Sequence, residues 1–279
     1  MGCRDIKKGK KAQEEISKTL KDSTKLHLFS LDLGDFESIE NFVSEVKKLN
    51  LDLHVIINNA GVMATPQRKT KDGFEYQFGI NHYGHFKLNL LLLPLMYSTA
   101  KKEKDYEGRI ICLSSSLHSG GTGKINFDDI HWEKEGSYGK IEQKFFNKSL
   151  DPWAAYSQSK LANVLFAKAL NRRFQEDKVD ITVNALHPGV IMTELQRDMA
   201  GYLSFALALA SPFFLKSIEQ GAATTVYVAA SPKVQHRGGL YFEDCNISEA
   251  IPYCRDEEIQ EKLWNLSEKE TNTKYIKFE

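Results

Sequence analysis

A tyrosine and a lysine stand four residues apart in the segment YSQSK at 156–160. In a helix this spacing places both side chains on one face. A nearby ammonium favours the phenolate, lowers the tyrosine pKa from about 10 and makes the phenol a usable general acid or base. Two other pairs, at 83/87 and 97/101, share the spacing, and we interpret them as packing or surface pairs of one long helix. Small residues flank the third pair and allow a ligand to approach, so we predict that Tyr156 and Lys160 are catalytic.

Ser115 is the second candidate for chemistry. It lies in a run of three serines directly after an apolar segment, Arg109–Leu113, that reads as a strand. A hydroxyl at the carboxyl end of a strand can donate a hydrogen bond to a substrate carbonyl or hydroxyl. Three serines alone are typical of a turn, but in combination with the Tyr156–Lys160 pair they indicate a catalytic serine.

Two further strand ends carry residues that suit ligand contact. The segment Asn58-Asn59-Ala60-Gly61 closes a strand predicted over Leu53–Ile57, where asparagines can hold neighbouring backbone and glycine lets a ligand approach. Pro188-Gly189 closes the strand Ile181–Leu186 and is followed by Thr193, which could hold a polar ligand group. Each motif taken alone is equally typical of a turn.

Two single residues have alternative readings. Asp32, in the pair Asp32-Leu33, ends a strand predicted over Leu26–Leu31; its carboxylate either accepts from an adenine amine or caps the helix that begins near Phe36. Asn81 lies early in a long predicted helix and either anchors a water molecule or bonds locally.

Short apolar strands alternate with longer helical patterns along the whole chain. Near-continuous apolar strands in such an order predict a parallel sheet that is covered by helices on both faces. Ligands of open α/β sheets bind outside the carboxyl ends of the strands, where the polar motifs above converge. The remaining predicted elements are helices over Lys7–Leu20, Phe36–Leu49, Gly73–Lys102, Pro152–Glu176, Ser217–Ala230 and Asp256–Glu268 and a short strand over Gly239–Phe242.

The set of motifs resembles the short-chain dehydrogenase/reductase family over nearly the whole chain. Finer stretches are similar to the branch of the retinol dehydrogenases and the WW-domain oxidoreductase: CRD at 3–5, INHYGHF at 80–86, AYSQSKLANVLF at 155–166, ALHPGV at 185–190 and EQGAATTVYVAASP at 219–232. The resemblance implies a Rossmann-like doubly wound α/β fold in one domain, 1–279.

The resemblance also implies a role for each motif. Tyr156 would transfer a proton, Lys160 would lower the tyrosine pKa and hold the nicotinamide ribose, Ser115 would orient the carbonyl and Asn81 would support a proton-relay water. Arg4 resembles the arginine that pairs with a 2′-phosphate, and a guanidinium fork suits that group, so the expected cofactor is NADP. The implied cofactor contacts are Arg4, Asp32, Leu33, Asn58, Ala60, Gly61, Tyr156, Lys160, Pro188, Gly189, Ile191 and Thr193.

One family feature is missing from the sequence. The Thr-Gly-x-x-x-Gly-x-Gly turn, which would bind the pyrophosphate at a helix N-terminus, is expected some 30 residues before Arg4, and the chain starts three residues before Arg4. We therefore expect an N-terminally truncated fold that lacks the first strand and the first helix. The strand at Leu26–Leu31 would then lose its neighbour or slide against the strand at Leu53–Ile57.

Composition narrows the functional classes. Lys plus Arg and Asp plus Glu are both 37, giving a net charge of zero, which disfavours nucleic-acid binding. The four cysteines fit neither a disulfide framework nor a zinc spacing, so we expect reduced thiols, no metal and a cytoplasmic location. Leu203–Leu215 is too short to span a membrane and suits a substrate lid, an interfacial segment or core.

Two hypotheses of function follow. The first is an NADP-dependent oxidoreductase that interconverts a small apolar alcohol, of retinoid, steroid or lipid type, and its aldehyde or ketone. The alternative is a truncated relative with weak catalysis and impaired cofactor binding, either a fragment or a dimerising regulator. The resemblance implies homodimer contacts through the helices at Gly73–Lys102 and Pro152–Glu176, and it leaves peripheral membrane contact open.

Overall fold

The computed structural model describes residues 1–20, 25–103, 106–134, 151–191 and 216–278. The strands are β1 (Gly2–Cys3), β2 (Phe29–Ser30), β3 (Val55–Asn58), β4 (Gly108–Leu113), β5 (Ile181–His187), β6 (Tyr241–Glu243) and β7 (Asn246–Ser248). The α-helices are α1 (Ile6–Ser17), α2 (Phe36–Lys48), α3 (Tyr76–Phe78), α4 (His85–Lys102), α5 (Asp151–Glu176), α6 (Ile218–Ala230) and α7 (Glu257–Thr271). The predicted segment Leu203–Leu215 and Thr193 lie outside the described residues.

The main sheet has five strands in the order β3-β4-β5-β6-β7. β3 to β6 are parallel, and β7 returns antiparallel to β6. Every residue of β4 and β5 is buried, as their continuous apolar sequences predict. Pairs such as Asn58 with Cys112 and Leu113 with Leu186 bring the carboxyl ends of the strands to one edge.

Helices cover both faces of this sheet, which confirms the doubly wound arrangement. On one face, Ile110, Cys112 and Val183 pack into a core shared with α4 and α5. On the other face, Ile111 and Leu186 pack against a smaller cluster from α6. Successive residues of one strand thus serve opposite faces.

A second, smaller sheet consists of β1 and β2, which pair in parallel through Gly2 with Phe29 and Cys3 with Ser30. Within the described ranges, this pair is not hydrogen-bonded to the five-stranded sheet. The predicted strand at Leu26–Leu31 is therefore reduced to two residues, and its partner is β1 and not the strand at Leu53–Ile57. Sequence patterning missed β1 because two residues are too few to show periodicity.

The helix predicted over Gly73–Lys102 is broken into three pieces: α3, a π-helix over Gly79–Gly84, and α4. Gly73 has a φ of +91°, outside helical geometry. Glu75 begins the helical part, since its carboxylate accepts hydrogen bonds from the backbone N–H groups of Gln77 and Phe78. A π-helical turn inserts an extra residue and often marks a functional site.

The outer side of α5 is covered by α7 of the same chain. The Trp264 ring lies parallel to Phe166 at 6.0 Å, and the Arg173 guanidinium lies 3.8 Å from the Trp264 ring centre. Arg173 also forms an ion pair of 2.6 Å with Glu261. An intramolecular helix thus covers a surface from which we expected homodimer contacts; the homodimer stays a prediction.

The four cysteines are free thiols, as expected, and Cys112 and Cys254 are buried. No helix in the described part of the chain is both long and apolar enough to cross a bilayer.

Candidate active site

The catalytic candidates lie where β4 ends against α5. The Lys160 ammonium donates a hydrogen bond of 3.0 Å to the carbonyl of Leu113, the last residue of β4. Asn163, one helical turn further along α5, donates to the same carbonyl at 3.0 Å. The Ser114 hydroxyl donates to the Lys160 carbonyl at 2.8 Å. Backbone groups left free at a strand end thereby hold α5 at a fixed position on the sheet.

Ser115 and Tyr156 meet at this strand end. Both are buried, with 8% and 3% of their surfaces exposed. Burial raises the pKa of Tyr156 to about 12, and the neighbouring Ser115 hydroxyl acts in the opposite direction as a hydrogen-bond partner that lowers it. The structure brings together the Ser–Tyr pair that the sequence predicts.

The expectation that Lys160 lowers the Tyr156 pKa is wrong for this structure. The Lys160 nitrogen lies 5.7 Å from the Tyr156 ring centre and is directed to the Leu113 carbonyl. Burial removes water from the phenolate and is the largest cause of the raised pKa of Tyr156. Burial also lowers the pKa of Lys160 itself to about 8, against the raising effect of Cys112.

Asn81 lies in the π-helix and is completely buried. Its side-chain oxygen accepts from the Val62 N–H at 2.8 Å, and its amide donates to the Val62 carbonyl and the Ser159 hydroxyl, both at 2.9 Å. The Asn81 side chain therefore connects the loop after β3 to the catalytic face of α5. Its support of a relay water stays a prediction.

The segment after β3 forms a cradle beside Lys160. A Cβ atom added to Gly61 would lie 3.1 Å from the Asn81 Oδ1 and 3.4 Å from the Lys160 Nζ. Ala60 is exposed and Gly61 is half-buried, so both fit the expected contact with a ligand above the sheet. Asn58 points inward, since its oxygen accepts from Asn89 at 3.1 Å; it supports the segment from below.

Asp32 and Leu33 follow β2. The Asp32 carboxylate accepts from the Gly34 N–H at 2.9 Å, and the cap of α2 is Asp35, which accepts from Glu37 and Ser38. The reading of Asp32 as the helix cap is therefore wrong, and its part-exposed carboxylate stays a candidate for the adenine. Leu33 is buried against Gly84, where an added Cβ would lie 2.3 Å from the Leu33 carbonyl, so its side chain serves packing.

The turn after β5 borders the same edge of the sheet. Pro188 and Gly189 follow His187, and Gly189 has a φ of +92°, which favours glycine. Ile191 packs on Gly221 of α6, and its neighbour Val190 accepts from the Lys216 N–H at 2.9 Å. Three of the four predicted contacts in this stretch thus flank the strand end, and Thr193 lies outside the described residues.

Arg4 follows β1 and is exposed. Its guanidinium donates a hydrogen bond of 2.9 Å to the Tyr76 hydroxyl, and that bond raises the Arg4 pKa. The charge of Asp32 raises the same pKa, so the predicted 2′-phosphate and adenine contacts are near neighbours. Arg4 lies beside the two-stranded sheet, whereas Ser115, Tyr156 and Lys160 lie at the edge of the five-stranded sheet.

Sequence reasoning missed two groups that shape the site. Ser159 receives the Asn81 hydrogen bond and donates to the Tyr156 carbonyl at 2.7 Å. His118 lies next to the Ser115 carbonyl at 2.7 Å, with the Tyr241 hydroxyl 3.4 Å from the same ring nitrogen. Ser159 could have been found as the residue three after Tyr156 on the same helical face; nothing in sequence spacing links Tyr241 to Ser115.

One cluster of potential metal ligands lies away from this edge, among the described residues. The Nδ1 of His236 is 3.1 Å from an Asp180 oxygen and 3.3 Å from a Glu107 oxygen. Glu107 is also paired with Arg109 at 2.6 Å. Hydrogen bonds and this ion pair account for the cluster without a metal.

A doubly wound parallel sheet with Ser115, Tyr156 and Lys160 buried at its carboxyl edge is the arrangement that the resemblance implies for an α/β oxidoreductase with a nicotinamide cofactor. In the cradle beside Lys160, Ala60 is exposed and Gly61 is half-buried, so such a group could approach the backbone there and the residues present fit it.

Comparisons with known proteins agree with this class. The family model for the short chain dehydrogenases matches residues 3–125. Retinol dehydrogenase 14 of Homo sapiens is 38% identical over 282 residues, covering 96% of this chain and 77% of that protein. Polyprenol dehydrogenase of Mus musculus is 37% identical over 242 residues, covering 87% of this chain and 67% of that protein.

Solved structures show the same fold. An uncharacterised protein from Mycobacterium paratuberculosis superposes with a TM-score of 0.70 at 30% identity, covering 99% of this chain and 84% of that one. The RhlG protein of Pseudomonas aeruginosa, solved as an NADP complex, has a TM-score of 0.63 at 18% identity, covering 86% of this chain and 82% of that one. The chain belongs to the short-chain dehydrogenase/reductase family, and its similarity to the retinol dehydrogenases confirms the branch predicted from the motifs.

Proposed function

We propose that this protein is an NADP-dependent oxidoreductase that interconverts an apolar alcohol and its aldehyde or ketone. One observation carries the proposal: Ser115, Tyr156 and Lys160 are buried together at the carboxyl edge of the parallel sheet, beside a glycine cradle. Burial of three polar side chains is costly unless they are bonded or used, and here their atoms border the one edge at which α/β sheets bind ligands.

The reaction divides between the protein and its cofactor. A bound nicotinamide would supply the hydride for the carbonyl carbon. Tyr156 gives its phenolic proton to the carbonyl oxygen, and a pKa raised by burial keeps it protonated for that step. Ser115 donates its one hydroxyl proton to the same oxygen. Lys160, held by Leu113, places its positive charge 5.7 Å from the Tyr156 ring centre and would hold the ribose of the cofactor.

We base the proposed selectivity for NADP over NAD on the position of Arg4. Its exposed guanidinium lies near Asp32, at the residues expected to receive the adenosine half of the cofactor. A guanidinium binds a phosphate through two parallel hydrogen bonds. The bond to Tyr76 orients the guanidinium before the phosphate arrives.

The apolar class of the substrate is proposed from the chain's relatives. They include a retinol dehydrogenase and a polyprenol dehydrogenase, whose names denote isoprenoid alcohols. Next to Ser115, the rings of His118 and Tyr241 lie 4.9 Å apart.

A second candidate is a relative that binds cofactor weakly and turns over slowly. The observation in its favour is the separation of the β1–β2 pair, which carries Arg4, from the five-stranded sheet, which carries Tyr156. A cofactor would have to bridge two sheets that no hydrogen bond joins within the described residues.

Thermal melts with and without cofactor, followed by turnover assays, test the two candidates. We expect NADPH to raise the melting temperature more than NADH does, because ligand bound to the folded state stabilises it. All-trans-retinal and a long-chain aliphatic aldehyde are the probe substrates, with consumption of NADPH and formation of the alcohol as the readouts. A cooperative melt with no cofactor shift would favour the second candidate.

A further inference from the structure

His85 occupies the first position of α4, directly after the π-helix that contains Asn81. It is 5% exposed, and its Nδ1 lies 3.0 Å from the main-chain carbonyl oxygen of Asn81. A carbonyl oxygen only accepts hydrogen bonds, so Nδ1 must carry the proton. In the neutral imidazole, Nε2 is then a lone-pair acceptor inside the protein.

The surroundings of His85 keep the ring neutral. Burial lowers its pKa to about 4, the bond to Asn81 raises it, and the positive charge of Lys160 lowers it. His85 therefore lies within electrostatic reach of the catalytic lysine. At neutral pH its Nδ1–H tautomer is a fixed donor.

A chain of amide groups holds His85 from the opposite side. Its carbonyl accepts from the Asn89 amide at 2.6 Å, and the same amide donates to the Asn58 oxygen at 3.1 Å. Asn58 ends β3 immediately before the glycine cradle. His85 thus links the base of the cradle to the π-helical turn.

Asn81 connects the turn that His85 holds to the catalytic residues. Its side chain bonds both backbone groups of Val62 and the Ser159 hydroxyl between Tyr156 and Lys160. Rotation of the Asn81 peptide would move the cradle relative to the helix that carries Tyr156 and Lys160. A displacement of about 1 Å at a reacting centre can lower a rate about 100-fold.

We propose that His85 is a positioning residue of the active site, which holds the Asn81 carbonyl through Nδ1–H and thereby fixes the Gly61 cradle relative to Tyr156 and Lys160. The inference rests on the proposed function. The role of His85 differs from a purely structural one, because His85 sets the positions of the residues that transfer the proton.

Steady-state kinetics of three variants with NADPH and all-trans-retinal test the inference. His85→Leu removes the donor, and we expect kcat to fall about 10- to 100-fold with KM changed less than about 3-fold. We also expect its solvent deuterium isotope effect on kcat to increase. His85→Asn places an amide donor two bonds from Cβ, where Nδ1 stands, and should recover kcat to within about 3-fold of the parent enzyme.

The matched control is His82→Leu. His82 is equally buried on the same turn, but its ring bonds to Ser267 at 2.8 Å, on α7. Its loss should lower the melting temperature and leave kcat and the isotope effect unchanged. The inference is overturned if the His82 and His85 leucine variants lower kcat equally, or if His85→Asn is as slow as His85→Leu.

The tautomer of His85 gives a readout that needs no turnover. Side-chain ¹⁵N–¹H correlation spectra of the unmodified protein should show His85 with its proton on Nδ1. An Nε2–H tautomer would overturn the inference whether or not the enzyme is active. Absence of turnover in the unmodified protein, together with an Nδ1–H tautomer, would contradict the proposed function and leave His85 only as a clamp on Asn81.

Discussion

The two sheets of this molecule hold the two halves of the proposed site in different ways. β4 and β5 pair over six residues, all buried, and α5 is bonded to the end of β4 through Lys160 and Asn163. β1 and β2 pair over two residues, and Arg4 is held by one hydrogen bond to Tyr76. The comparison indicates that more contacts hold the catalytic candidates than hold Arg4. Under the proposed function, the affinity for the cofactor therefore depends on the less extensive region.

The largest expected effect is the loss of turnover in Tyr156→Phe. Removal of the phenolic proton donor should lower kcat about 10²- to 10⁴-fold, while the NADPH-induced rise in melting temperature is retained. The chain offers a matched control in Tyr83→Phe, which belongs to another tyrosine–lysine pair with the same spacing. Its buried hydroxyl has no hydrogen-bond partner in the described structure, so its removal should leave turnover and stability intact. Substantial turnover by Tyr156→Phe would refute the assignment.

A smaller effect is expected where the large sheet meets the cofactor. In Gly61→Ala, the added methyl group would press on the Asn81 Oδ1 and the Lys160 Nζ. We expect KM for NADPH to rise about 10-fold, because the methyl fills the cradle and displaces Lys160. Gly73→Ala is the control: its φ of +91° strains the backbone, but no atom lies within 4 Å. It should cost stability alone, and equal KM values for the two variants would disprove the cradle.

In the small sheet, Arg4→Ala should weaken NADPH about 10-fold and leave NADH unchanged, because only NADPH carries the 2′-phosphate. Isothermal titration with both cofactors measures the difference. Arg255→Ala serves as the control, since Arg255 is an exposed arginine paired with Glu249. Equal losses for both cofactors would remove the 2′-phosphate from the account.

The smallest expected effect is the contribution of His82 to the pH dependence of the free energy of unfolding. Burial lowers the pKa of His82 to about 3, against an ordinary value of 6.5. The unfolded chain then binds more protons, so this contribution is fully present above pH 6.5 and is lost as the pH falls toward 3. At pH 5 the loss is about 2 kcal/mol for one such histidine.

Urea unfolding at pH 7 and pH 5 measures this loss. Burial raises the pKa of Glu75 to about 7, so the contribution of Glu75 to stability increases as the pH falls. This contribution is present in both the parent and His82→Leu and cancels when the two proteins are compared. The parent should lose more stability than the variant between the two pH values. Equal losses would show that His82 is not a buried neutral group.

The parts of the fold that sequence patterning predicted are those with long, one-sided apolar runs. β4, β5, α2 and α5 match their predicted ranges within one residue at either end, because burial of a whole strand or helix face leaves a readable pattern. β1 and β7 span two and three residues and depend on pairing that no local pattern encodes.

The positions of the catalytic candidates could also be predicted from the sequence. Ser115 follows a readable strand, and the four-residue spacing of Tyr156 and Lys160 places them on one face of a readable helix. The pKa of Tyr156 was not predictable, because it is raised by burial in the folded chain. The direction of the Lys160 ammonium depends in turn on the Leu113 carbonyl, a contact between residues 47 positions apart. The role of Ser159 and the bond between His85 and Asn81 likewise depend on the π-helical turn, which no sequence period indicated.

The central claim is that this chain couples proton donation by Tyr156 to hydride transfer from NADPH. Mass spectrometry of the alcohol formed from all-trans-retinal, with NADPH that carries deuterium at the transferable C4 position, tests it most directly. The account predicts an alcohol one mass unit heavier from the parent enzyme and no such product from Tyr156→Phe. Unlabelled alcohol, or labelled alcohol from both proteins at equal rates, would contradict it.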